Sequence, residues 1–552
     1  MSKVLTGIEF RNAVISGAAT ITNHRQEVDE LNVFPVPDGD TGTNMSLTVN
    51  NAARMISRLE GDLSTVSGET ASALLRGARG NSGVILSLFF RGIAKGLKGH
   101  PKANGVQLAA ALTSGVETAY KAVMKPTEGT MLTVARLSAA AAVEAAKENN
   151  DAAYVMEKAC LAGADALAQT PEMLPVLKKA GVVDAGGRGL LYILEGMLSV
   201  IKDGVMVKSG AERADSAPKT SAKVEAISEE EITFTYCTEF IVQKDKTKKL
   251  DPIKLRAYLE TIGDCVVVVD DEDIIKVHVH TDNPGNAIQE GLKFGMLVNI
   301  KIDNMREQTK RVVEEETAPA KTAKGEKIKP AKPENEYGFV VVAAGKGLCS
   351  LFSDLGADQL VEGGQTMNPS TDDILRAVEA TPAKTVFVLP NNKNIIMAAE
   401  QAIPLATRKV CVLPTRTIPQ GISAMLAFDE DMKTEENLLE MTKAAENTAT
   451  GQITYAARNS NFDGKEIKAG EILALKEGKI AYVEKDVVKA VSKLTKALVT
   501  KDSSQITLIT GADVDKDTVR QAVAACEAKA GNCEVTVIKG GQPVYYFIIS
   551  VE

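Results

Sequence analysis

The sequence predicts a multidomain protein with an all-helical first part, a small α+β second part and an α/β third part. Its 552 residues correspond to roughly three to four domains at about 100–200 residues each. Two stretches, 206–229 and 310–336, consist mainly of Ser, Ala, Lys, Glu and Pro without apolar periodicity, which is typical of solvated linkers. We therefore expect structured parts at 1–205, 230–309 and 337–552, joined by linkers that let them move relative to one another.

Composition and charge exclude several classes of protein. With 44% apolar and 25% charged residues the chain resembles ordinary soluble proteins, and its longest apolar runs are too short to span a membrane. Glu9 and Arg11 fall where a secretory signal would need its apolar core. Seven cysteines without a CxxC pair suit a reducing compartment, and a net charge of −8 disfavours general nucleic-acid binding. We expect a cytoplasmic protein, and the sequence leaves a homodimer open.

The first part, 1–205, has the apolar spacing of amphipathic helices. Apolar residues recur every three or four positions in 106–123, 131–146 and 152–168, and alternating β-branched runs are nearly absent. The pattern predicts an all-α domain.

The second part alternates short strands and helices. Strands are predicted at 234–243, 265–269, 274–280 and 297–302, and helices at 252–262 and 284–295. The resulting order, β-α-β-β-α-β, is the split pattern of ferredoxin-like domains.

The third part resumes βα alternation. Buried strands are predicted at 338–344, 385–389 and 409–413, with helices at 371–379 and 394–401. This order indicates a doubly wound α/β layer, followed by an α+β piece after about residue 451. Gly345-Lys-Gly after the first strand is a weak phosphate motif, and an ordinary strand-to-helix turn is the favoured interpretation.

The strongest motif for chemistry lies at 32–45, a loop that precedes a long helix. Asp38 and Asp40 flank Gly39, so a tight turn can direct both carboxylates at one Mg²⁺ ion. At the start of the helix, backbone N–H groups and hydroxyls favour phosphate. Taken alone, the motif fits an Asp helix cap after a turn equally well. The candidate phosphate contacts are Thr41, Gly42, Thr43 and Asn44.

Three further glycine-rich loops, at 77–83, 128–132 and 181–189, also precede predicted helices. Repetition of this arrangement predicts that the helix starts form one rim of a helical bundle that holds a nucleotide. The candidate nucleotide contacts in these loops are Asn81, Ser82, Gly129, Thr130, Met131 and Asp184.

These loops carry a resemblance to a known family. The segments PDGDTGTNM, GNSGVIL, GTML and DAGG resemble the nucleotide-binding loops of the DhaL domain, the helical-barrel ATP-binding part of dihydroxyacetone kinases. The longer pattern LNVFPVPDGDTGTNM, with RGARGNSGVILS and a long extension, is similar to the fatty acid kinase catalytic subunits (FakA) of bacteria. The resemblance implies that Asp38 and Asp40 are the catalytic Mg²⁺ ligands and that the other loops hold ATP or ADP.

The sequence departs from the DhaL pattern at two places. Where DhaL domains have a third Asp, this chain has Val33, and Asn32 is the nearest oxygen donor. An Arg that precedes the last DhaL loop also has no counterpart, so the candidates for its role are Lys178, Lys179 and Arg188. The ligands of a second Mg²⁺ ion therefore stay open.

The resemblance implies a kinase component that transfers the γ-phosphoryl group of ATP to a fatty acid carboxylate, giving acyl phosphate for phospholipid synthesis. A DegV-type fatty-acid-binding protein would present the acceptor, and the third part would dock it. A carboxylate is ionised near pH 7 and needs no general base, which suits a first part whose only histidines are His24 and His100. The alternatives are a dihydroxyacetone kinase-like phosphotransferase and a nucleotide-binding regulator that transfers nothing.

A second candidate metal site lies in the second part. His278 and His280 are two apart on a predicted strand, and Cys237 lies on the neighbouring first strand of the ferredoxin-like order. From the residues alone, two ordinary histidines on a sheet face are the favoured interpretation. The family resemblance includes a Cys/His/His metal site here, and Zn²⁺ in a structural role suits these ligands best.

Overall fold

The computed structural model describes residues 3–32, 40–123, 126–208, 234–244, 252–270, 274–304, 330–364, 367–462 and 465–552. They belong to two compact units, one made of Met1–Ala217 together with Ile328–Glu552 and the other of Pro218–Lys327. The first unit therefore combines residues from the first and third predicted parts.

The first part is helical, as predicted. Its described residues form two very short strands and ten helices, which are β1 (Leu5–Thr6), α1 (Gly7–Asn23), α2 (Arg25–Glu30), α3 (Thr41–Ile56), α4 (Leu63–Gly77), α5 (Gly80–Gly96), β2 (Lys102–Ala103), α6 (Gly105–Ala122), α7 (Met131–Glu148), α8 (Ala152–Met173), α9 (Pro175–Ala180) and α10 (Ala185–Asp203).

The long helices close into a barrel. From α3 to α8 each packs against the next in the chain, α8 packs against α10, and α1 joins α10 to α3. Glycine makes the closing contact between α1 and α10 possible, because a Cβ on Gly196 would lie 2.7 Å from the Cα of Gly17. Inside the barrel, the apolar faces of the helices bury large side chains such as Phe10, Met45 and Phe90.

Side-chain caps explain where several barrel helices begin. At the start of α1, Glu9 N donates to Thr6 Oγ1 at 3.2 Å and Thr6 N donates to Glu9 Oε2 at 2.9 Å. Asn104 and Gln107 form the same reciprocal pair at the start of α6. Each capping box satisfies backbone N–H groups that a helix start leaves unpaired.

The second unit has the predicted ferredoxin-like order. Its elements are β3 (Tyr236–Lys244), α11 (Pro252–Ile262), β4 (Gly263–Asp270), β5 (Ile274–Thr281), α12 (Pro284–Leu292) and β6 (Gly295–Asn304). The strands form an antiparallel sheet in the order β4-β5-β3-β6, which confirms that the first and third strands of the domain are neighbours.

The third part begins with a parallel sheet in the order β10-β9-β7-β8. Alternate residues of β7 and β9 are buried in different apolar clusters on the two faces of this sheet, as a doubly wound layer requires. The elements are β7 (Asn335–Ala343), α13 (Lys346–Asp354), β8 (Gln359–Glu362), α14 (Thr371–Ala380), β9 (Ala383–Leu389), α15 (Ile396–Ala402), a 3₁₀ turn (Ile403–Leu405), β10 (Lys409–Val412), α16 (Ile418–Leu426) and α17 (Thr434–Asn447).

A six-stranded mixed sheet in the order β15-β14-β11-β18-β16-β17 completes the third part. Its elements, together with a separate hairpin β12-β13, are β11 (Ala449–Tyr455), β12 (Ser460–Phe462), β13 (Lys465–Ile467), β14 (Ile472–Lys476), β15 (Lys479–Glu484), α18 (Val487–Leu498), β16 (Gln505–Thr510), α19 (Lys516–Glu527), β17 (Glu534–Lys539) and β18 (Phe547–Val551). A Cβ on Gly347 would lie 1.8 Å from the carbonyl oxygen of Lys539, so this glycine permits close packing of the start of α13 against the end of β17.

The barrel and the third part share an apolar interface, and the freedom of movement that we expected between them is wrong. Val84 and Leu88 of α5 are buried in one cluster with Ile374 of α14 and Ala398 of α15. The polar linkers were the basis of that expectation, but the composition of a linker does not determine whether the surfaces it joins are complementary. None of the helices in the described ranges is both long enough and apolar enough to cross a membrane.

Candidate functional site

The starts of α3, α5, α7 and α10 surround one cleft of about 260 Å³, as the four glycine-rich loops predict. Helix starts present unpaired N–H groups and the positive end of the helix dipole, so their convergence favours an anionic ligand. The described residues that line the cleft are Leu31, Asn32, Thr41, Asn81, Ser82, Ile85, Val123, Thr127, Thr130, Met131, Leu132, Leu177, Asp184, Ala185 and Gly186.

Asp40 is the residue immediately before α3. Its carbonyl oxygen accepts from Asn44 N at 2.8 Å, which forms the first turn of the helix. Its carboxylate oxygen Oδ2 accepts from Asn368 Nδ2 of the third part at 2.6 Å. Asp38, the other predicted Mg²⁺ ligand, lies outside the described residues.

Of the four predicted phosphate contacts in the first turn of α3, only Thr41 is among the described lining residues, and Asn44 is buried. Thr41 faces the cleft and donates through Oγ1 to Asn32 Oδ1 at 3.0 Å. Thr43 N and Thr43 Oγ1 donate instead to the carboxylate of Asp29, at 3.0 and 2.7 Å. Gly42 packs against α2, since a Cβ there would lie 2.3 Å from the carbonyl oxygen of Arg25. Gly42 and Thr43 therefore anchor the helix start to α2.

The start of α5 depends on a glycine. Gly80 has φ of +58°, and a Cβ at this position would lie 2.6 Å from Nδ2 of the buried Asn44. This close approach brings Asn81 and Ser82 to the cleft. The Asn81 Oδ1 atom is buried and has no hydrogen-bond partner among the described residues. A buried amide oxygen without a partner is rare in proteins, and here it lies at the wall of a cleft.

A polar network fixes the loop before α7. Gly129 has φ of +83°, and its N–H donates to Thr133 Oγ1 at 2.9 Å. Thr133 Oγ1 in turn donates to Glu128 at 2.8 Å, and Arg136 pairs with the same carboxylate at 2.7 Å. Thr133 and Arg136 lower the pKa of the Glu128 carboxyl. The network positions two residues that line the cleft, Thr130 and Met131, whereas Gly129 is not among the described lining residues.

Asp184 connects two of the helix starts. Its Oδ2 atom accepts from Gly187 N at 2.7 Å and caps α10, and its carboxylate also accepts from the backbone N–H of Met131 in α7. Burial raises the pKa of this carboxyl to about 6, although both backbone donors act to lower it. Asp184 thus lines the cleft and also joins α7 to α10.

Neither Lys178 nor Arg188, both candidates for the missing Arg, faces the cleft. Lys178 pairs with Glu172 at 2.5 Å, and Arg188 donates to Tyr192 at 2.7 Å. Lys179 is also absent from the described lining residues.

Two polar residues were not predicted to belong to this site, Asp29 and Asn368. Asp29 belongs to α2 and holds the first turn of α3, and Asn368 reaches Asp40 from 328 positions away. Asp29 belongs to no motif, and Asn368 lies in a loop of the third part, 362–370, whose position after a strand suggests a ligand or partner site there. Only the fold brings the two residues to the barrel loops. Three apolar residues of the cleft wall were also not predicted, Ile85 within the GNSGVIL segment and Val123 and Leu177 outside the motifs.

The donor set fits a magnesium nucleotide. Asp40 offers a carboxylate, which is a preferred ligand type for Mg²⁺, and the helix starts offer N–H groups for phosphates. The Asn81 Oδ1 atom, which has no partner within the described part of the chain, and the apolar wall add a polar and an apolar contact for the remainder of such a ligand.

In the second unit, the backbone register pairs residue 237 of β3 with residue 280 of β5. The side chains of Cys237, His278 and His280 lie outside the described part of the structure. Among the side chains that are described, no group of three or more His, Cys, Asp or Glu residues could hold a metal ion. Zinc binding at these residues therefore stays a prediction.

Family models match all three parts of the chain. The DAK2 domain model matches residues 35–199, the model of the middle domain of FakA-like fatty acid kinase proteins matches 233–312, and the model of their C-terminal domain matches 338–552. Proteins with this combination form a class of multidomain kinase-related proteins.

Two relatives align with the chain over its whole length. The chain is 41% identical to Protein YloV of Bacillus subtilis (strain 168) over 556 aligned residues and 40% identical to an uncharacterized protein of Staphylococcus aureus (strain USA300) over 560, with 100% of each chain covered in both cases. The chain belongs to the FakA-like fatty acid kinase family, which confirms the resemblance that its loops carry.

Two kinds of solved structure are also similar to parts of the chain. A DegV family protein from Corynebacterium glutamicum is 15% identical, with a TM-score of 0.32, and the match covers 39% of this chain and 96% of that one. The dihydroxyacetone kinase from C. freundii in complex with AMP-PNP and Mg²⁺ is 21% identical, with a TM-score of 0.28, and the match covers 34% of this chain and 33% of that one.

Proposed function

We propose that the protein is a kinase component that transfers the γ-phosphoryl group of ATP to the carboxylate of a fatty acid. A DegV-type fatty-acid-binding protein presents the acceptor, and the product is an acyl phosphate for phospholipid synthesis. The observation that carries the proposal is the convergence of four helix starts on one cleft, with Asp40 immediately before Thr41 of its lining. Membership of the FakA-like fatty acid kinase family supports the acceptor class.

In the proposed complex, Asp38 and Asp40 hold Mg²⁺, which neutralises the charge that develops on the phosphates. The N–H groups at the starts of α3 and α5 bind the phosphate oxygens. Thr41, Asn81 and Ser82 line the phosphate side of the cleft, and Thr130, Met131 and Asp184 border the rest of the nucleotide. The chain's contribution is chiefly positioning, which is the main requirement of phosphoryl transfer.

The described residues of the cleft also suit an acceptor that is already ionised. No histidine is among the lining residues that the structure describes. His24 stacks on Tyr192 with ring centroids 4.1 Å apart, and His100 pairs with Gln107 at 3.0 Å. A fatty acid carboxylate needs no general base near pH 7, whereas a sugar hydroxyl would.

The deciding experiment follows ATP consumption and acyl phosphate formation with and without a DegV-type protein loaded with a long-chain fatty acid. We expect acyl phosphate only when the loaded partner is present. Asp38→Ala and Asp40→Ala should each lower turnover about 10²–10³-fold, the usual effect of removing one group that stabilises transition-state charge. Asp165→Ala, which changes an exposed carboxylate on α8, is the matched control and should keep full turnover.

Other outcomes would separate the alternatives. Phosphorylation of dihydroxyacetone without the partner would replace the proposal with a dihydroxyacetone kinase-like activity. Nucleotide binding without transfer to either acceptor would indicate a regulator. Full turnover of both aspartate variants would contradict the assigned metal ligands.

For the second unit we propose a structural Zn²⁺ ion held by Cys237, His278 and His280. The pairing of residues 237 and 280 on neighbouring strands supports the proposal, because directly opposite positions in an antiparallel pair are about 4.5–5.5 Å apart. Elemental analysis of the purified protein should find about one zinc per chain, and Cys237→Ser should lose it. Retention of zinc in that variant would contradict the ligand assignment.

A further inference from the structure

Asn368 is a residue of the third part that contacts the barrel's proposed metal ligand. It lies between β8 and α14, is 2% exposed, and donates from Nδ2 to Asp40 Oδ2 at 2.6 Å. An N–H···O bond to a carboxylate at this length is charge-assisted and stronger than a neutral hydrogen bond. One carboxylate oxygen of Asp40 thus has a fixed partner from a distant part of the chain.

The backbone of Asn368 is itself held by the turn between α4 and α5. Arg79 Nη1 donates to the carbonyl oxygen of Asn368 at 2.8 Å and Arg79 Nη2 pairs with Asp373 at 3.4 Å. Thr371 N donates to the carbonyl oxygen of Ala78 at 3.1 Å, and Ser370 forms an antiparallel bridge with Arg79. Asn368 also precedes a proline, which restricts its backbone to extended conformations. The amide is therefore fixed relative to the start of α5.

The side-chain oxygen of Asn368 provides a second observation. The Oδ1 atom is buried and has no hydrogen-bond partner among the described residues. Buried polar atoms in native proteins are nearly always paired, so an unpaired one next to Asp40 is a reason to expect a ligand group there. Asn81 Oδ1, also buried and unpartnered among the residues that the structure covers, lies at the start of α5.

We propose that Asn368 is a positioning residue that orients Asp40 for the Mg²⁺ ion of the bound nucleotide. The third part is then a component of the phosphoryl-transfer site as well as a docking region. This inference rests on the proposed role of Asp40 as a metal ligand. Hydrogen bonds to ligating carboxylates fix their orientation, and their loss typically weakens metal binding 10–100-fold.

The test measures Mn²⁺ binding to the full-length protein with ADP, by the loss of the free Mn²⁺ electron paramagnetic resonance signal. In Asn368→Ala the dissociation constant of Mn²⁺ should rise about tenfold or more. With ATP, the KM for Mg²⁺ should rise while kcat at saturating Mg²⁺ is largely kept, because the ligand itself is intact. Arg76→Ala is the matched control, since it removes an ion pair to Asp372 at the same interface without touching Asp40. It should bind Mn²⁺ within about twofold of the wild type.

A Mn²⁺ affinity of folded Asn368→Ala within twofold of the wild type would overturn the inference. If that variant does not fold, Asn368→Ser, whose shorter side chain does not reach Asp40, carries the same expectation. Asp40→Ala separates the two proposals. If it leaves Mn²⁺ affinity unchanged, the metal assignment itself is wrong; if it lowers the affinity and the Asn368 variants do not, only the role of Asn368 is wrong.

Discussion

At the scale of single residues, Asp184 combines a structural and an electrostatic role. Its carboxylate caps α10 and holds the start of α7, yet burial raises its pKa to about 6 from the ordinary value of 3.8. The folded protein therefore favours the neutral carboxyl more than the unfolded chain does. Its contribution to stability is complete below about pH 3.8 and is lost as the pH rises through about 6.

Asp184→Asn replaces the ionisable carboxyl of Asp184 with an amide that does not titrate. Relative to the variant, the wild type should gain about 1 kcal/mol of unfolding free energy between pH 8 and pH 5, as the linkage relation gives for these pKa values. Urea unfolding of both proteins at several pH values measures the difference. Asp165→Asn, the same substitution at an exposed position on α8, is the matched control. A pH-independent difference between Asp184→Asn and the wild type would contradict the raised pKa.

At the scale of elements, the start of α5 depends on Gly80. Two constraints act at Gly80, its positive φ and the close approach of Asn44, and Gly99 provides a control that has only the first. Gly80 and Gly99 both have positive φ, at +58° and +79°. A Cβ on Gly80 would lie 2.6 Å from Asn44 Nδ2, whereas a Cβ on Gly99 would have no heavy atom within 4 Å. Gly99→Ala therefore measures the backbone cost alone.

We expect Gly99→Ala to lower the free energy of unfolding by about 1–2 kcal/mol and to leave ADP affinity unchanged. Gly80→Ala should cost more, because Asn44 must also shift, and should weaken ADP binding severalfold since Asn81 and Ser82 follow directly. Urea unfolding and calorimetric ADP titration give both quantities. Equal effects of the two variants on ADP affinity would show that the α5 start does not form the nucleotide site.

The elements show what sequence patterns can predict. Each of the four loops before α3, α5, α7 and α10 was recognised because its glycines, hydroxyls and Asp residues are close in the chain. Asn368 and Asp29 could not be assigned to this site, because their contacts with Asp40 and Thr43 depend on the fold. The linkers misled for a related reason: their polarity describes the linkers alone, whereas the burial of Leu88 depends on a surface in the third part.

At the scale of the whole molecule, the barrel and the third part form one compact unit. We expect them to unfold together. Leu88 is 4% exposed in the apolar cluster that the two parts share. Leu88→Ala should lower the free energy of unfolding by about 2–5 kcal/mol. In hydrogen-exchange mass spectrometry, protection should fall in peptides of both α5 and α14.

Leu161→Ala, at an exposed position on α8, is the matched control and should change the free energy of unfolding by less than about 0.5 kcal/mol. Loss of protection confined to the barrel in Leu88→Ala would mean that the two parts unfold independently.

The contact between the barrel and the loop of Asn368, which are far apart in the chain, also has a consequence for biosynthesis. Arg79 and Asn368 are 289 residues apart, so at about 5–20 residues per second a ribosome needs about 15–60 s to make the second after the first. During that time Val84 and Leu88 are on a nascent barrel whose covering helices do not yet exist. The nascent chain thus exposes an apolar patch while it is still on the ribosome. We expect ribosome-associated chaperones that recognise apolar patches to bind it there.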